Sequence, residues 1–197
     1  MNEILEKLIN DYPVLSGNRE KIAAAGELII DCYKNGGILL CCGNGGSAAD
    51  CGHIVGELMK SFRLERKPSD SAFENLQEGL PAISLSAHTG LLTAFCNDCD
   101  PDYVFAQQVY AYGKNREALL LALSTSGNSA NVVNAVKTAK ALGMKTVAVT
   151  GELGGALLKE ADVCINLPAG ETYRVQELTV PVYHALCAAA EEYFFGE

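Results

Sequence analysis

The sequence predicts an α/β fold: a doubly wound, five-stranded parallel sheet flanked by helices, with two further helices ahead of the first strand. Three observations carry this reading. Short apolar runs without polar alternation recur along the chain, as strands buried on both faces require. Segments of helical periodicity separate them, so successive strands are joined by crossovers and run parallel. Two of the strands empty into Gly/Ser-rich turns that open a helix, on the edge where such folds bind ligands.

Taken in order, Ile4, Leu5, Leu8, Ile9 and Tyr12 form a helical stripe that stops before Pro13. Asn18 stands where it can cap a second helix, in which Ile22, Ala25, Ile29, Cys32 and Tyr33 recur until Gly36-Gly37 ends it. Residues 1–35 therefore read as cover for the sheet or as contact with another subunit, and 36–197 as the α/β core of one domain. The first helix is short enough to be marginal alone, which favours the subunit reading. Ile38-Leu39-Leu40-Cys41-Cys42 is the first strand, followed by a tight turn through Gly43, Gly45 and Gly46. Ser47 is the expected N-cap of a helix over 48–62. The charged stretch 64–80 reads as a surface excursion with one short helical turn. Strand two is expected at 82–85, a helix at 91–96, another at 103–112 and strand three at 118–123. A helix over 130–142, ended by Gly143, leads to strand four at 146–150. A short helix at 156–159, strand five at 163–167 and a long helix over 172–194 complete the chain. Pro181 is expected to bend that last helix.

The bulk numbers narrow the classes. With 197 residues, 49% hydrophobic and 20% charged, the chain can bury a full core as one compact domain. A net charge of −9 and a pI near 4.8 argue against nucleic acid and anionic membrane surfaces as partners. No apolar run approaches the ~20 residues that cross a bilayer. The first residues lack the basic-then-apolar pattern of a secretion signal, so a cytoplasmic protein is expected. The eight cysteines lie mostly in apolar segments and read as reduced, buried thiols. Cys96-Asn97-Asp98-Cys99 is a lone C-x-x-C without the second pair a structural zinc site needs.

Two loops and two helices carry the chemistry. In Gly43-Asn44-Gly45-Gly46-Ser47, backbone N–H groups and a helix N-terminus can converge on an anion. Neither a Gly-Lys-Ser/Thr ending nor a G-x-G-x-x-G spacing is present, so a small phosphate monoester held by neutral donors fits better than a nucleotide. The plainer alternative is an ordinary strand-to-helix turn that uses glycines for geometry. Ser124-Thr125-Ser126-Gly127-Asn128-Ser129 adds hydroxyls and a second helix N-terminus, again without Lys or Arg. Its plainer alternative is a Ser/Thr turn capping the helix at Ser129. If strands one and three are neighbours, the two loops share one crevice. His53 and Glu57 stand four apart on the helix leaving the first loop, so they share a face. Gln176 and His184 stand eight apart on the last helix and share a broad face. Two imidazoles, one carboxylate and one amide suit Zn²⁺ or a similar divalent ion. The same groups also suit a general acid/base pair, or two histidines that are simply buried and hydrogen-bonded. His88 has no visible partner and reads as structural.

With these motifs in place, the chain resembles the SIS (sugar isomerase) domain family, on its phosphoheptose isomerase branch. Cys42-Gly43-Asn44-Gly45-Gly46-Ser47 and Ser124-Thr125-Ser126-Gly127-Asn128-Ser129 are similar to that family's two signature loops, and Asn97-Asp98 and Arg174-Val175-Gln176-Glu177 to its further pairs. The resemblance spans nearly the whole chain and implies the SIS fold. It also implies isomerisation of sedoheptulose 7-phosphate to D-glycero-D-manno-heptose 7-phosphate, in a homotetramer with active sites at subunit interfaces. By matching position it implies that Asn44, Gly45, Gly46, Ser47, Asn97, Asp98, Ser124, Thr125, Ser126, Ser129 and Gln176 form the sugar-phosphate site. His53, Glu57, Gln176 and His184 match the family's metal ligands, with one zinc per subunit, and Glu57 and His184 its acid/base pair. The chain departs from the family between Phe62 and Leu80, where it is longer, and at Lys60-Ser61, where many members have Gly-Arg. Relatives of the same fold include a non-enzymatic, DnaA-binding replication regulator that lacks the Glu and the last-helix His, and sensors that only bind a sugar phosphate. Glu57 and His184 favour the enzyme.

Overall fold

A computed structural model describes residues 1–196. Its elements are α1 (Asn2–Asp11), α2 (Arg19–Lys34), β1 (Ile38–Gly43), α3 (Gly46–Met59), β2 (Ala82–Ser84), α4 (Thr89–Asp98), α5 (Val104–Gly113) and β3 (Ala118–Leu123). Then follow α6 (Ala130–Ala141), β4 (Lys145–Thr150), α7 (Leu157–Glu160), β5 (Val163–Asn166) and α8 (Thr172–Phe195). The five strands form one sheet in the order β2-β1-β3-β4-β5, every pair parallel. This is the α/β architecture the sequence predicts. The chain steps from β1 to β2 on one side and returns to β3 on the other, so the strand order reverses between β1 and β3. Cys42 pairs with Ala122 and Gly43 with Leu123, so the turns leaving these two strands start at the same level.

Side chains alternate across the pleat and feed two apolar layers. Leu39, Cys41, Leu119, Leu121 and Leu123 face the layer covered by α1, α2, α3 and α8. Leu40, Cys42, Leu120 and Ala122 face the layer under α5 and α6. Each fully buried Leu contributes roughly 1.5–3 kcal/mol, so β3, with all six residues buried, anchors both layers. The N-terminal helices lay Leu5, Leu8, Ile22, Ala25 and Ile29 on the first layer, against α8 and the sheet edge. Six cysteines are buried, Cys96 and Cys99 are exposed, and all eight are free thiols. No helix among the described residues is long and apolar enough to cross a membrane.

Three local expectations need correction. Ser47 is not the N-cap of α3: the helix starts at Gly46, with Gly45 in the cap position at φ 56°, and Ser47 is buried in its first turn. Only glycine adopts that backbone cheaply, which lets the helix begin ahead of the serine. The helix also ends at Met59 rather than at residue 62. The cause is Arg66, whose guanidinium donates to the carbonyls of Leu58 at 2.8 Å and Glu57 at 3.2 Å, closing the helix end.

The third correction concerns the stretch 64–80. Most of it is exposed and it carries one short helical turn at Ser71–Phe73, as expected. Arg66, however, is only 2% exposed and pairs with Glu191 of α8 at 2.8 Å, both side chains fully buried. Glu191 also accepts from the backbone N–H groups of Phe62 at 2.9 Å and Arg63 at 2.8 Å. The guanidinium lies 4.6 Å from the centroid of the Phe195 ring. Burial alone would raise the Glu191 pKa, but the backbone donors of Phe62, Arg63 and Leu64 and the Arg66 side chain hold it below its ordinary value.

A carboxylate whose folded pKa is depressed stabilises the protein above its unfolded pKa and loses that contribution as pH falls through the folded value. Glu191→Gln is therefore expected to cost about 3 kcal/mol at neutral pH, as for one partner removed from a buried pair. As pH falls below the ordinary glutamate value of about 4.3 and on through the lower folded value, the gap between wild type and variant should close in urea denaturation. A gap that stays constant with pH would contradict the assignment.

Candidate active site

Both Gly/Ser-rich loops lie at the reversal point of the sheet, and one contact ties them together. Asn44 Nδ2 donates to Asn131 Oδ1 at 2.9 Å, and Asn131 Nδ2 returns a bond to Asn44 Oδ1 at 3.0 Å. Asn131 is in the first turn of α6, so the first loop is bolted to the helix opened by the second. The shared crevice follows. Ser86 Oγ, from the turn after β2, donates to the Gly43 carbonyl at 3.0 Å and steadies the same loop.

The second loop does not use its hydroxyls as helix caps. Ser129 holds the N-cap position of α6 but makes no capping bond; its Oγ lies 3.0 Å from Ser124 Oγ. The Ser/Thr-turn alternative at Ser129 is thereby excluded. Ser126 Oγ accepts from Asn128 N–H at 3.1 Å, and the Asn128 side chain accepts from Ala156 N–H at 2.9 Å, stitching the loop to the segment before α7. Gly127 is at φ 66°, and a Cβ there would stand 2.0 Å from the Gly154 carbonyl oxygen. Neither α3 nor α6 has an acidic residue in its first turn, so both positive helix ends remain open to an anion.

α3 and α8 lie side by side and run the same way, so their residues meet in order. Gly46 faces Gln176, whose Nε2 is 2.5 Å from where a Cβ on Gly46 would stand. Further along, His53 Nε2 lies 2.9 Å from Glu57 Oε1, and the rings of His53 and His184 pack edge to face with centroids 5.0 Å apart. One nitrogen from each histidine and one Glu57 oxygen lie within 4.8 Å of one another. His53 is the exposed member of this cluster, while Glu57 and His184 are half-buried. Burial lowers the His184 pKa, the neighbouring His53 lowers it further, and Glu57 opposes both, so this imidazole favours its neutral form. His184 Nε2 is buried and has no hydrogen-bond partner among the described residues. A buried orphan nitrogen beside a histidine and a carboxylate fits a divalent cation, whose ligands stand about 3.4 Å apart at bond lengths near 2.1 Å.

Of the predicted metal ligands, three meet in this way, while the Gln176 carboxamide lies against the first loop. Asn97 and Asp98 end the exposed helix α4, and the Asn97 amide donates to the Asp98 carboxylate at 2.8 Å. Among the described residues they make no hydrogen bond to either loop. Exposed Cys96 and Cys99 belong to no metal-competent cluster among the described residues. His88 is structural, with Nε2 3.1 Å from the Tyr112 hydroxyl. A cleft of about 690 Å³ between α1 and α8 reaches the cluster at His184.

Sequence reasoning missed Asn131, Tyr183, Asp50, Arg66 and Glu191. Asn131 and Asp50 each stand within a turn of a recognised loop, a signal that was available. Tyr183 directly precedes His184, a signal of the same kind, whereas Arg66 and Glu191 sit among other charged residues and gave none.

Paired neutral loops at a sheet reversal, with an imidazole–carboxylate cluster alongside, mark a protein that handles a small phosphorylated ligand. The sequence profile of the SIS domain matches residues 13–151, and the chain belongs to that family. It is 42% identical over 176 residues to the phosphoheptose isomerase of Roseiflexus sp. (strain RS-1), covering 89% of this chain and 83% of the relative. The Helicobacter pylori (strain P12) phosphoheptose isomerase is also 42% identical, over 180 residues, covering 91% of this chain and 88% of its own length. Among solved structures, a phosphoheptose isomerase from Francisella tularensis superposes with a TM-score of 0.82 at 32% identity, covering 97% of this chain and 96% of that one. The phosphoheptose isomerase GmhA from Neisseria gonorrhoeae gives 0.72 at 39% identity, covering 86% and 84%.

Gly127→Ala tests the loop geometry. It is expected to destabilise the protein by more than about 1 kcal/mol, because it combines a positive φ with a backbone clash. Asn131→Ala should leave the urea midpoint nearly unchanged but weaken protection by inorganic phosphate in a melting assay. Equal protection of both proteins would remove the loop bridge from the account.

Proposed function

We propose that the protein is a phosphoheptose isomerase, interconverting sedoheptulose 7-phosphate and D-glycero-D-manno-heptose 7-phosphate through an enediolate. The observation that carries this reading is the meeting of Glu57 and His184 in a SIS fold, with Glu57 on the helix that leaves the first loop. A protein that only bound the sugar phosphate, as sensor or regulator, would need the loops and not the pair.

The substrate phosphate sits in the crevice, held by backbone N–H groups at Gly45 and Gly46 and by Asn44, Ser47, Ser124, Thr125, Ser126 and Ser129. Neutral donors suit a dianion on a small sugar, since the two helix ends supply the positive field. Asn97 and Asp98 bind sugar hydroxyls. Ketose and aldose differ by a proton moved between C1 and C2, so one group takes the carbon-bound proton and another handles the oxygen proton. Glu57 is the base: only its Oε1 faces His53, leaving Oε2 for the carbon acid. His184, neutral and half-buried, carries the oxygen proton. Fixed donors around the reacting oxygens stabilise the developing charge.

His53, Glu57 and His184 are the residues that would hold one zinc ion, and the Gln176 carboxamide would join them by turning away from Gly46. When bound, such an ion supplies positive charge against the enediolate oxygen.

The protein works in the cytoplasm as a homotetramer with sites at subunit interfaces. Residues 1–35 and α4 serve assembly, around the 36–197 core. Two features support this: α4 has no fully buried residue despite Leu91, Leu92 and Phe95, and the cleft beside α1 opens onto His184.

In D₂O, wild-type protein given sedoheptulose 7-phosphate should place deuterium at C2 of the aldose product. Glu57→Gln should lower the rate by roughly 10²–10⁴-fold, and His184→Gln comparably. Absence of exchange by the wild type, with and without added Zn²⁺, would rule out the heptose reaction.

A further inference from the structure

The face of α8 that carries His184 also presents Tyr183, which the proposed reaction does not use. Tyr183 is buried at 1% exposure, and its hydroxyl lies 2.8 Å from His53 Nδ1. The same hydroxyl donates to Asp50 Oδ1 at 3.5 Å. His53 then reaches Glu57 through its other nitrogen at 2.9 Å. Asp50, Tyr183, His53 and Glu57 therefore form one hydrogen-bonded line with a carboxylate at each end.

An ionised carboxylate only accepts hydrogen bonds, so the tyrosine proton points at Asp50. A hydroxyl with its proton committed accepts from its second partner, which places a proton on Nδ1 of His53. Glu57 also only accepts, so at 2.9 Å it takes a proton from Nε2 until a cation displaces that proton and takes the lone pair.

We propose that Tyr183 and Asp50 are positioning residues that fix His53 with its proton on Nδ1, so that Nε2 presents its lone pair to a divalent cation shared with Glu57 and His184. The zinc part of this inference rests on the metal reading given above; the assignment of the proton does not. Outer-shell partners of this kind orient a ligating imidazole and raise its basicity, and their loss commonly weakens metal binding 10–100-fold. Aromatic packing also fixes the ring: Tyr183 meets His53 edge-on at a centroid separation of 5.4 Å and His184 at 4.9 Å.

Tyr183→Phe separates the two contributions, because it keeps the ring and removes only the hydroxyl. Asp50→Ala keeps the hydroxyl and removes the acceptor that aims it. In ¹⁵N NMR of the metal-free wild type, His53 Nδ1 is expected to carry a proton, whether or not Nε2 also does. In Tyr183→Phe that fixed Nδ1 proton should be lost, the ring turning to Nε2–H facing Glu57. Competition with a chromophoric chelator should show Zn²⁺ held 10–100-fold less tightly by both variants, with unchanged melting of the metal-free proteins. A bare Nδ1 in the wild type, or Zn²⁺ bound as tightly by Tyr183→Phe as by wild type, would overturn the proposal. No Zn²⁺ binding by the wild type would instead overturn the metal reading, with the NMR result still deciding the proton's position.

Discussion

The site depends on a single arrangement: two helices from distant parts of the chain lying alongside one another with the same direction. Parallel packing of α3 and α8 brings residues together in matching order, and contacts at the two ends set the spacing. At one end Gly46 has no side chain and Gln176 fills the space it leaves. At the other, Glu191 receives Phe62, Arg63 and Arg66 just beyond the end of α3. Between them the His53, Glu57 and His184 side chains have little choice about where they meet. The Arg66 guanidinium ties the two ends of this logic together, since it holds both Glu191 and the carbonyl of Glu57. The buried pair thus lies one peptide away from the proposed base.

The sheet supplies the second half of the site by a different route. Adjacent parallel strands in register must release their turns at one level. Here β1 and β3 do so, and the reciprocal Asn44–Asn131 amide pair converts nearness into a fixed separation. Loop and cluster are joined because α3 begins in the first and carries the second. On the proposed reading, a ligand's phosphate and its reacting carbons are thereby referred to the same rigid body.

The sheet, its order-setting crossovers and the two loops were legible because they are written in local patterns: unbroken apolar runs, glycine clusters and helical periodicity. Pairings between distant segments were not. Glu191 sits in an acidic pair at the end of a helix and Arg66 in a run of charges, and each alone reads as solvated. Their burial depends on the packing of α3 beside α8, which brings residue 66 against residue 191. The misplaced cap at Ser47 has a local cause. A serine before a helical run is a strong N-cap signal, but the positive φ of Gly45 starts the helix sooner. Candidate site residues drawn from single loops and single helix faces were readable. The order of the Asp50–Tyr183–His53 line was not, since it joins side chains of two helices far apart in the chain.

The longer stretch after α3 has an unusual closure. Glu78 N–H donates to the Arg66 carbonyl at 2.8 Å, and Leu80 N–H to the Leu58 carbonyl at 2.9 Å. Gln77 meanwhile accepts from Ser61 N–H at 3.0 Å. The stretch leaves and returns at nearly the same point, with its stem locked and its tip solvated. Chain length in such a closed arc is nearly free: doubling it costs only about 0.6 kcal/mol in closure entropy. Lineages can therefore lengthen or prune this arc without disturbing the helices beneath. For the same reason, an engineer could install a peptide tag or an environment-sensitive dye there, on a post already fastened to both walls of the site.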